Sequence, residues 1–313
     1  MRFMAGLMAG VGFMVAGQAQ AVQAAWRDCL GDDPVPAVEG CRRVLALGTA
    51  VSAQEAAAQH RLGVALGQLR RFDEAVGALD RVLALSPKDV GSWFNRGLAH
   101  ALAGREVQGL ADFDRALAID PRHLATRINR GHLLRQRGAH ERALQDYDAA
   151  LAQVPGQVAI LYARAWTSAE LGREDAALAD IAAILTVDPS HVDARIIRGK
   201  LLAARGELAQ ALLDFDAVVQ MTPSDAMAHS GRGALLMRMA RAEEALVALD
   251  RALALDSGYA NAHVNRAGAR LLLGQLAQAV TDLDAALLLV PDDAEARALR
   301  DTVLRDIAED GRR

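Results

Sequence analysis

Apolar side chains of fixed size return along this chain every 34 residues. One column is large throughout: Leu79, Phe113, Tyr147, Ile181, Phe215, Leu249 and Leu283. Two columns are small: Gly63, Gly97, Gly131, Ala165, Gly199, Gly233 and Ala267, then Ala75, Gly109, Ala143, Ala177, Ala211, Ala245 and Ala279. Small residues on two helices let their backbones approach, and the large column fills the space beside that contact. Polar punctuation keeps the same period. Gly104, Gly138, Gly172, Gly206 and Gly274 each precede a new apolar-periodic segment, where a glycine can take the left-handed conformation that ends a helix. Pro87, Pro121, Pro155, Pro189, Pro223 and Pro291 start new units, with Ser257 at the one gap, because proline tolerates a first helical turn and no later one. The pattern predicts one antiparallel helix pair per period, helix A then helix B, over 56–89, 90–123, 124–157, 158–191, 192–225, 226–259 and 260–293.

Both ends of the array differ from the units between them. In residues 22–55, Ala37, Cys41 and Val44 keep the helix B spacing after a connection four residues longer, which predicts a degenerate capping unit. Residues 294–313 predict a last amphipathic helix with a wet face, the polar end that stacked repeats need for solubility. Ahead of all this, Arg2 is followed by an apolar run from Phe3 to Gly17 and by Ala19-Gln20-Ala21, a small-x-small tripeptide suited to signal peptidase. Residues 1–21 are expected to be a leader cleaved near Ala21, with export to the periplasm of a Gram-negative cell. A retained anchor is the competing reading, although the run is shorter than the roughly 20 residues a membrane-spanning helix needs. Export bears on the only two cysteines, Cys29 and Cys41, which flank a proline-containing turn: a disulfide between two helices is expected, two free buried thiols being the alternative.

The signature from Trp93 and Gly97 through Phe113 and Ala116 to Pro121 resembles the tetratricopeptide repeat, whose period is 34 residues. The resemblance covers residues 56–293 and implies an all-α, right-handed superhelical solenoid of antiparallel helix pairs. The chain departs from the family at the Trp position, where Arg127, Leu161, Arg195, His229 and His263 stand. It departs again in a column of arginines, Arg96, Arg130, Arg164, Arg198, Arg232, Arg266 and Arg300. These lie next to the helix interface, where an unpaired charge is costly, so they need carboxylates. Sixteen residues upstream stand Asp80, Asp114, Asp148, Ala182, Asp216, Asp250 and Asp284, with Asp180 near the one gap. Pairing with these, from helix B of the preceding unit, predicts a ladder between repeats. Pairing within a unit, through residues such as Asp112, Asp146, Asp214 and Asp282, is the rival scheme.

Composition narrows the function. The 313 residues carry 35 Lys and Arg against 39 Asp and Glu, a net charge of −4, so no basic field draws nucleic acid. Catalytic motifs, a metal-binding spacing and a cofactor fingerprint are all missing, and neither enzymatic activity nor a cofactor is expected. The resemblance implies that helix A side chains line a concave groove that takes an extended peptide or a partner helix. Inward positions with suitable chemistry are Phe94, Asn95, Leu98, Asn129, His132, Arg135, Tyr162, Trp166, Lys200 and Asn265. Asn95, Asn129 and Asn265 share one position, and a carboxamide can donate to and accept from a peptide group, although asparagine also simply suits a wet face. Tyr162 and Trp166 lie four apart, on one helix face, as an anchor for a guest or as ordinary packing. The function read from these residues is a protein-interaction scaffold or adaptor for a protein or peptide partner, with no stable membrane insertion once the leader is gone. The alternative is a non-catalytic subunit or chaperone-like component of a cell-envelope assembly or export machine.

Overall fold

The computed structural model describes residues 20–47 and 52–310, and the leader expected over residues 1–21 lies outside the described residues apart from positions 20 and 21. Those residues form seventeen α-helices and no strand. The chain divides into two compact units, Met1–Pro155 and Gly156–Arg313. The first holds α1 (20–29), α2 (Pro34–Ala46), α3 (Ser52–Gln68), α4 (Phe72–Leu85), α5 (Val90–Leu102), α6 (Glu106–Ile119), α7 (Leu124–Gln136) and α8 (His140–Leu151). The second holds α9 (Val158–Glu170), α10 (Glu174–Val187), α11 (Val192–Ala204), α12 (Leu208–Met221), α13 (Ala226–Arg238), α14 (Ala242–Leu255), α15 (Ala260–Leu272), α16 (Leu276–Leu289) and α17 (Ala294–Asp310). Within each unit every helix packs on the one before it, which is the arrangement of stacked helix pairs.

The columns of small and large residues explain the packing. Phe113, fully buried on α6, occupies the space that a Cβ on Gly97 of α5 would need: such an atom would lie 2.8 Å from the phenyl ring. The small residue therefore faces the large one directly, and the second small column sits beside them, with Gly109 under the Gly97 carbonyl. Helix A ends as its glycine predicts. Gly104 has φ +75°, and the Arg105 N–H reaches back to the His100 carbonyl at 2.8 Å, satisfying a carbonyl that the helix end leaves open. Two units have no glycine there. Arg70 and Ala240 hold the same left-handed conformation at φ 59° and 57°, with the same closing bonds from Arg71 to Leu66 and from Arg241 to Leu236.

The Trp position has a shared task that its varied chemistry conceals. Trp93 Nε1 donates to the Pro87 carbonyl six residues earlier at 2.8 Å. Arg127 donates to Pro121, Arg195 to Pro189 and Arg297 to Pro291 in the same register, and His229 and His263 pair with the carbonyls of Pro223 and Ser257. Any side chain with an N–H on a stem of this length closes the carbonyl at the start of the unit, so an aromatic ring is dispensable there. Leu161 carries no such donor.

At the amino end, Cys29 and Cys41 form a disulfide between α1 and α2, with Cα atoms 4.5 Å apart and both residues fully buried. Gly40 permits this approach, since a Cβ there would lie 2.4 Å from the Cys29 amide nitrogen. Arg61 of α3 donates to the carbonyls of Leu30 and Gly31, at 3.1 and 2.9 Å, and so closes the end of α1. α3 itself begins at Ser52, four residues before the unit boundary read from the period.

Candidate functional site

Three members of the arginine column, Arg96, Arg130 and Arg266, serve both pairing schemes at once. Arg96 on α5 makes a two-pronged contact with Asp112 of its own helix pair at 2.8 and 2.7 Å, and its remaining nitrogen reaches Asp80 of the preceding pair at 2.5 Å. Arg130 repeats this with Asp146 and Asp114, and Arg266 with Asp282 and Asp250. A guanidinium has five N–H donors in a fork, so the two schemes do not compete. Hydrogen bonding to Asp112 raises the Arg96 guanidinium above its ordinary value, against the opposing effect of burial. The two carboxylates differ in setting: Asp112 is buried, whereas Asp80 is half exposed.

The ladder narrows where the period is broken. Asp180, expected to stand in for Ala182 beside Arg198, instead grips Arg164 in its own helix pair at 2.8 and 2.6 Å. Among the described residues Arg198 pairs with Asp214 alone, because Ala182 offers no carboxylate. Arg232 pairs with Asp216, and Arg300, with no helix B after it, pairs with Asp284. Asp148 belongs to the first compact unit and Arg164 to the second. All of these charges are committed to architecture.

In the first unit the expected groove residues are partly spent on the fold. Phe94 lies against the rings of Phe113 and His123, with centroids 6.1 and 5.5 Å away. Asn95 and Asn129 each donate their carboxamide N–H to the backbone carbonyl one turn earlier, Gly91 and Ala125, at 2.9 and 2.8 Å. His132 meets the Tyr147 hydroxyl at 3.0 Å, a partner that a fully buried phenol needs. Burial and the charge of Arg135, which stands half-buried in the last turn of α7, lower the His132 pKa. Asn95 and Leu98 line a cavity of about 410 Å³ between α3 and α5, floored by Gly63 and Val64.

The second unit gathers the others. Tyr162 and Trp166 of α9 stand 6.2 Å apart, and the Tyr162 ring is stacked on His191 at 5.7 Å. Trp166 is 40% exposed, and its indole N–H donates to Glu170 at 2.8 Å. These side chains form one wall of a cavity of about 500 Å³ whose other walls are Ile196, Ile197 and Lys200 of α11 and Met227 of α13. Ile196, Lys200 and Met227 also border a second cavity of about 210 Å³ that runs on to Tyr259 and Asn265 of α15. Asn265 donates to the Ser230 hydroxyl at 3.3 Å. The result is one trough across α9, α11, α13 and α15, apolar on its floor. Asp193, Glu170 and Tyr259 also line it and were missed in the sequence; Asp193 lies in a first helical turn, where an acidic residue reads as a complement to the helix dipole.

Models of the tetratricopeptide repeat match residues 60–123, 108–158, 128–186 and 162–226, more than half of the chain in all. The chain belongs to the tetratricopeptide repeat family. No curated protein matches it. Among solved structures, a tetratricopeptide repeat protein from Parabacteroides merdae aligns with a TM-score of 0.61 at 21% identity, covering 80% of this chain and 99% of that one. The C-terminal part of a tetratricopeptide repeat-containing protein from Cytophaga hutchinsonii aligns at 0.64 and 13% identity, covering 76% and 98%. YrrB, described as a tetratricopeptide repeat protein with an unusual peptide-binding site, aligns at 0.53 and 21% identity, covering 60% and 96%. At such identities the likeness establishes the tetratricopeptide repeat fold, one suited to protein-interaction scaffolds.

Proposed function

We propose that this tetratricopeptide repeat protein is a non-catalytic scaffold that holds an extended segment of a partner protein in the trough across α9, α11, α13 and α15. The observation that carries the reading is Trp166, 40% exposed at the rim of a 500 Å³ apolar cavity. A large aromatic left open beside unfilled apolar space loses that exposure when a guest side chain enters, and burying such a side chain contributes about 1.5–3 kcal/mol. The peptide-binding site described for YrrB, a protein of the same fold, supports the assignment. The leader-like residues 1–21 and the Cys29–Cys41 disulfide support an exported protein working in an oxidising compartment, the periplasm of a Gram-negative cell.

Selection of peptides from a random library on the full chain, followed by fluorescence anisotropy with the peptides obtained, tests the binding role. Trp166→Ala is expected to weaken binding by about thirtyfold, corresponding to about 2 kcal/mol. Selected peptides that bind the variant unchanged would place the interaction elsewhere on the protein. For the compartment, cell fractionation is expected to recover the protein with the soluble envelope contents, and recovery from the cytoplasm with two reactive thiols would refute export.

A further inference from the structure

We propose that the trough selects a segment of the form basic, x, apolar, x, acidic, running along α11 with its basic residue at Asp193 and its acidic residue at Lys200. This rests on the groove reading above and adds the chemistry of the guest. Asp193 and Lys200 are the two charges that α11 contributes to the larger cavity, Asp193 in the first turn and Lys200 two turns further along. Both are exposed, and neither has an ion-pair partner among the described residues. That sets them apart from the neighbouring charges of the same helix, since Arg195 and Arg198 are both taken up by Asp214. Glu170, the other carboxylate of the cavity, accepts from the Trp166 indole.

Spacing then dictates the guest. Asp193 and Lys200 are seven residues apart, about 10 Å along a helix rising ~1.5 Å per residue. In an extended chain, alternate side chains share a face and residues four apart are separated by about 13 Å. The long stems of a lysine and a glutamate on the guest, and of Lys200 itself, absorb the difference. The residue midway between the charged pair then faces the apolar stretch between them, made by Ile196 and Ile197 with Trp166 and Met227 opposite. A leucine-sized side chain suits that space. The opposite signs at the two ends also fix direction: a guest lying the other way sets like charges together.

The test uses the full oxidised chain and fluorescein-labelled peptides with blocked ends built around Lys-Ser-Leu-Ser-Glu, with Ala in place of Lys, of Glu or of both, and Ser in place of Leu. Each charged residue is expected to tighten binding about threefold at low salt, within the range for exposed ion pairs, and the gain is expected to fade as salt is added. Asp193→Asn should abolish the preference for the basic residue while leaving the preference for the acidic one, and Lys200→Gln should do the reverse. Equal binding of all charge versions, with the Leu peptide still lost on Trp166→Ala, would overturn the charge assignment and leave the groove standing. Failure of every peptide, the parent included, would overturn both this inference and the groove reading beneath it.

Discussion

Asp112 and Asp114, two residues apart on α6, hold arginines of different repeats: Asp112 grips Arg96 within its own helix pair, and Asp114 reaches Arg130 of the next. Phe113, between them, fills the space left by Gly97. Three consecutive side chains thus carry the packing inside one repeat and the polar link to its successor.

The two carboxylates are expected to differ sharply when removed. Asp112→Ala removes the buried, two-pronged partner and leaves Arg96 with only the half-exposed Asp80, and should cost about 2 kcal/mol, below the roughly 3 kcal/mol of a buried charge left with no partner at all. Asp114→Ala removes a half-exposed partner while Asp146 still holds Arg130, and should cost less than about 1 kcal/mol. Urea unfolding of the two variants measures the difference, and equal losses would show that burial does not set the strength of the ladder.

Arg70 and Ala240 occupy a conformation that costs an L-residue roughly 1 kcal/mol or more and that glycine adopts freely. Arg70→Gly and Ala240→Gly are therefore expected to stabilise the protein by about 0.5–1 kcal/mol, the gain being trimmed by the greater freedom of glycine in the unfolded chain. Gly104→Ala should destabilise by a similar amount. Thermal midpoints moving the other way would contradict the backbone argument.

The Cys29–Cys41 bridge closes a short loop and should contribute about 2–3 kcal/mol to the amino-terminal helix pair. Reduction, or the paired change to serine, is expected to lower the melting of that segment, followed by hydrogen exchange of α1 and α2. Unchanged protection would mean that contacts such as Arg61 with the end of α1 hold the pair by themselves.

Acid should weaken the fold before the carboxylates titrate. Burial lowers the pKa of His60 and of His132 below the ordinary 6.5, with Arg61 and Arg135 adding to the effect and Asp89 opposing it at His60. Between the lowered value and 6.5 the unfolded chain binds more protons than the folded one, so stability is full above pH 6.5 and falls as the pH drops below it. NMR titration of the two rings should give midpoints under 6.5. His132→Gln should flatten the dependence of the urea midpoint between pH 7 and pH 5, and an unaltered slope would rule out that ring as a contributor.

Periodicity made the helix pairs legible, because a glycine before a new apolar run ends helix A and a proline cannot continue helix B; the prolines, expected in a first helical turn, instead lie in the connecting turns, three residues ahead of the next helix. The left-handed turns at Arg70 and Ala240 were hidden, since no property of those side chains marks the conformation and the surrounding packing imposes it. The arginine column was visible as a charge problem, but counting partners one to one concealed that a forked guanidinium can satisfy two repeats. Side-chain direction was the main loss at the site. Asn95 and Asn129 turn their amide donors back on their own helices, and His132 is claimed by Tyr147, choices that spacing along a helix does not distinguish. Trp166 and Lys200 do line a cavity, Trp166 with its indole N–H turned to Glu170 of its own helix.

Because Arg96, Arg130 and Arg266 each look sixteen positions forward and sixteen back, a full rung needs no information from farther along the chain. Duplicating or excising one 34-residue period in phase brings a familiar aspartate against a familiar arginine at the new junction, provided the joined segments carry the Asp-x-Asp triplet. Gene-level gain and loss of repeats can therefore proceed without orphaning a charge, and the number of repeats becomes a quantity that evolution can adjust one unit at a time.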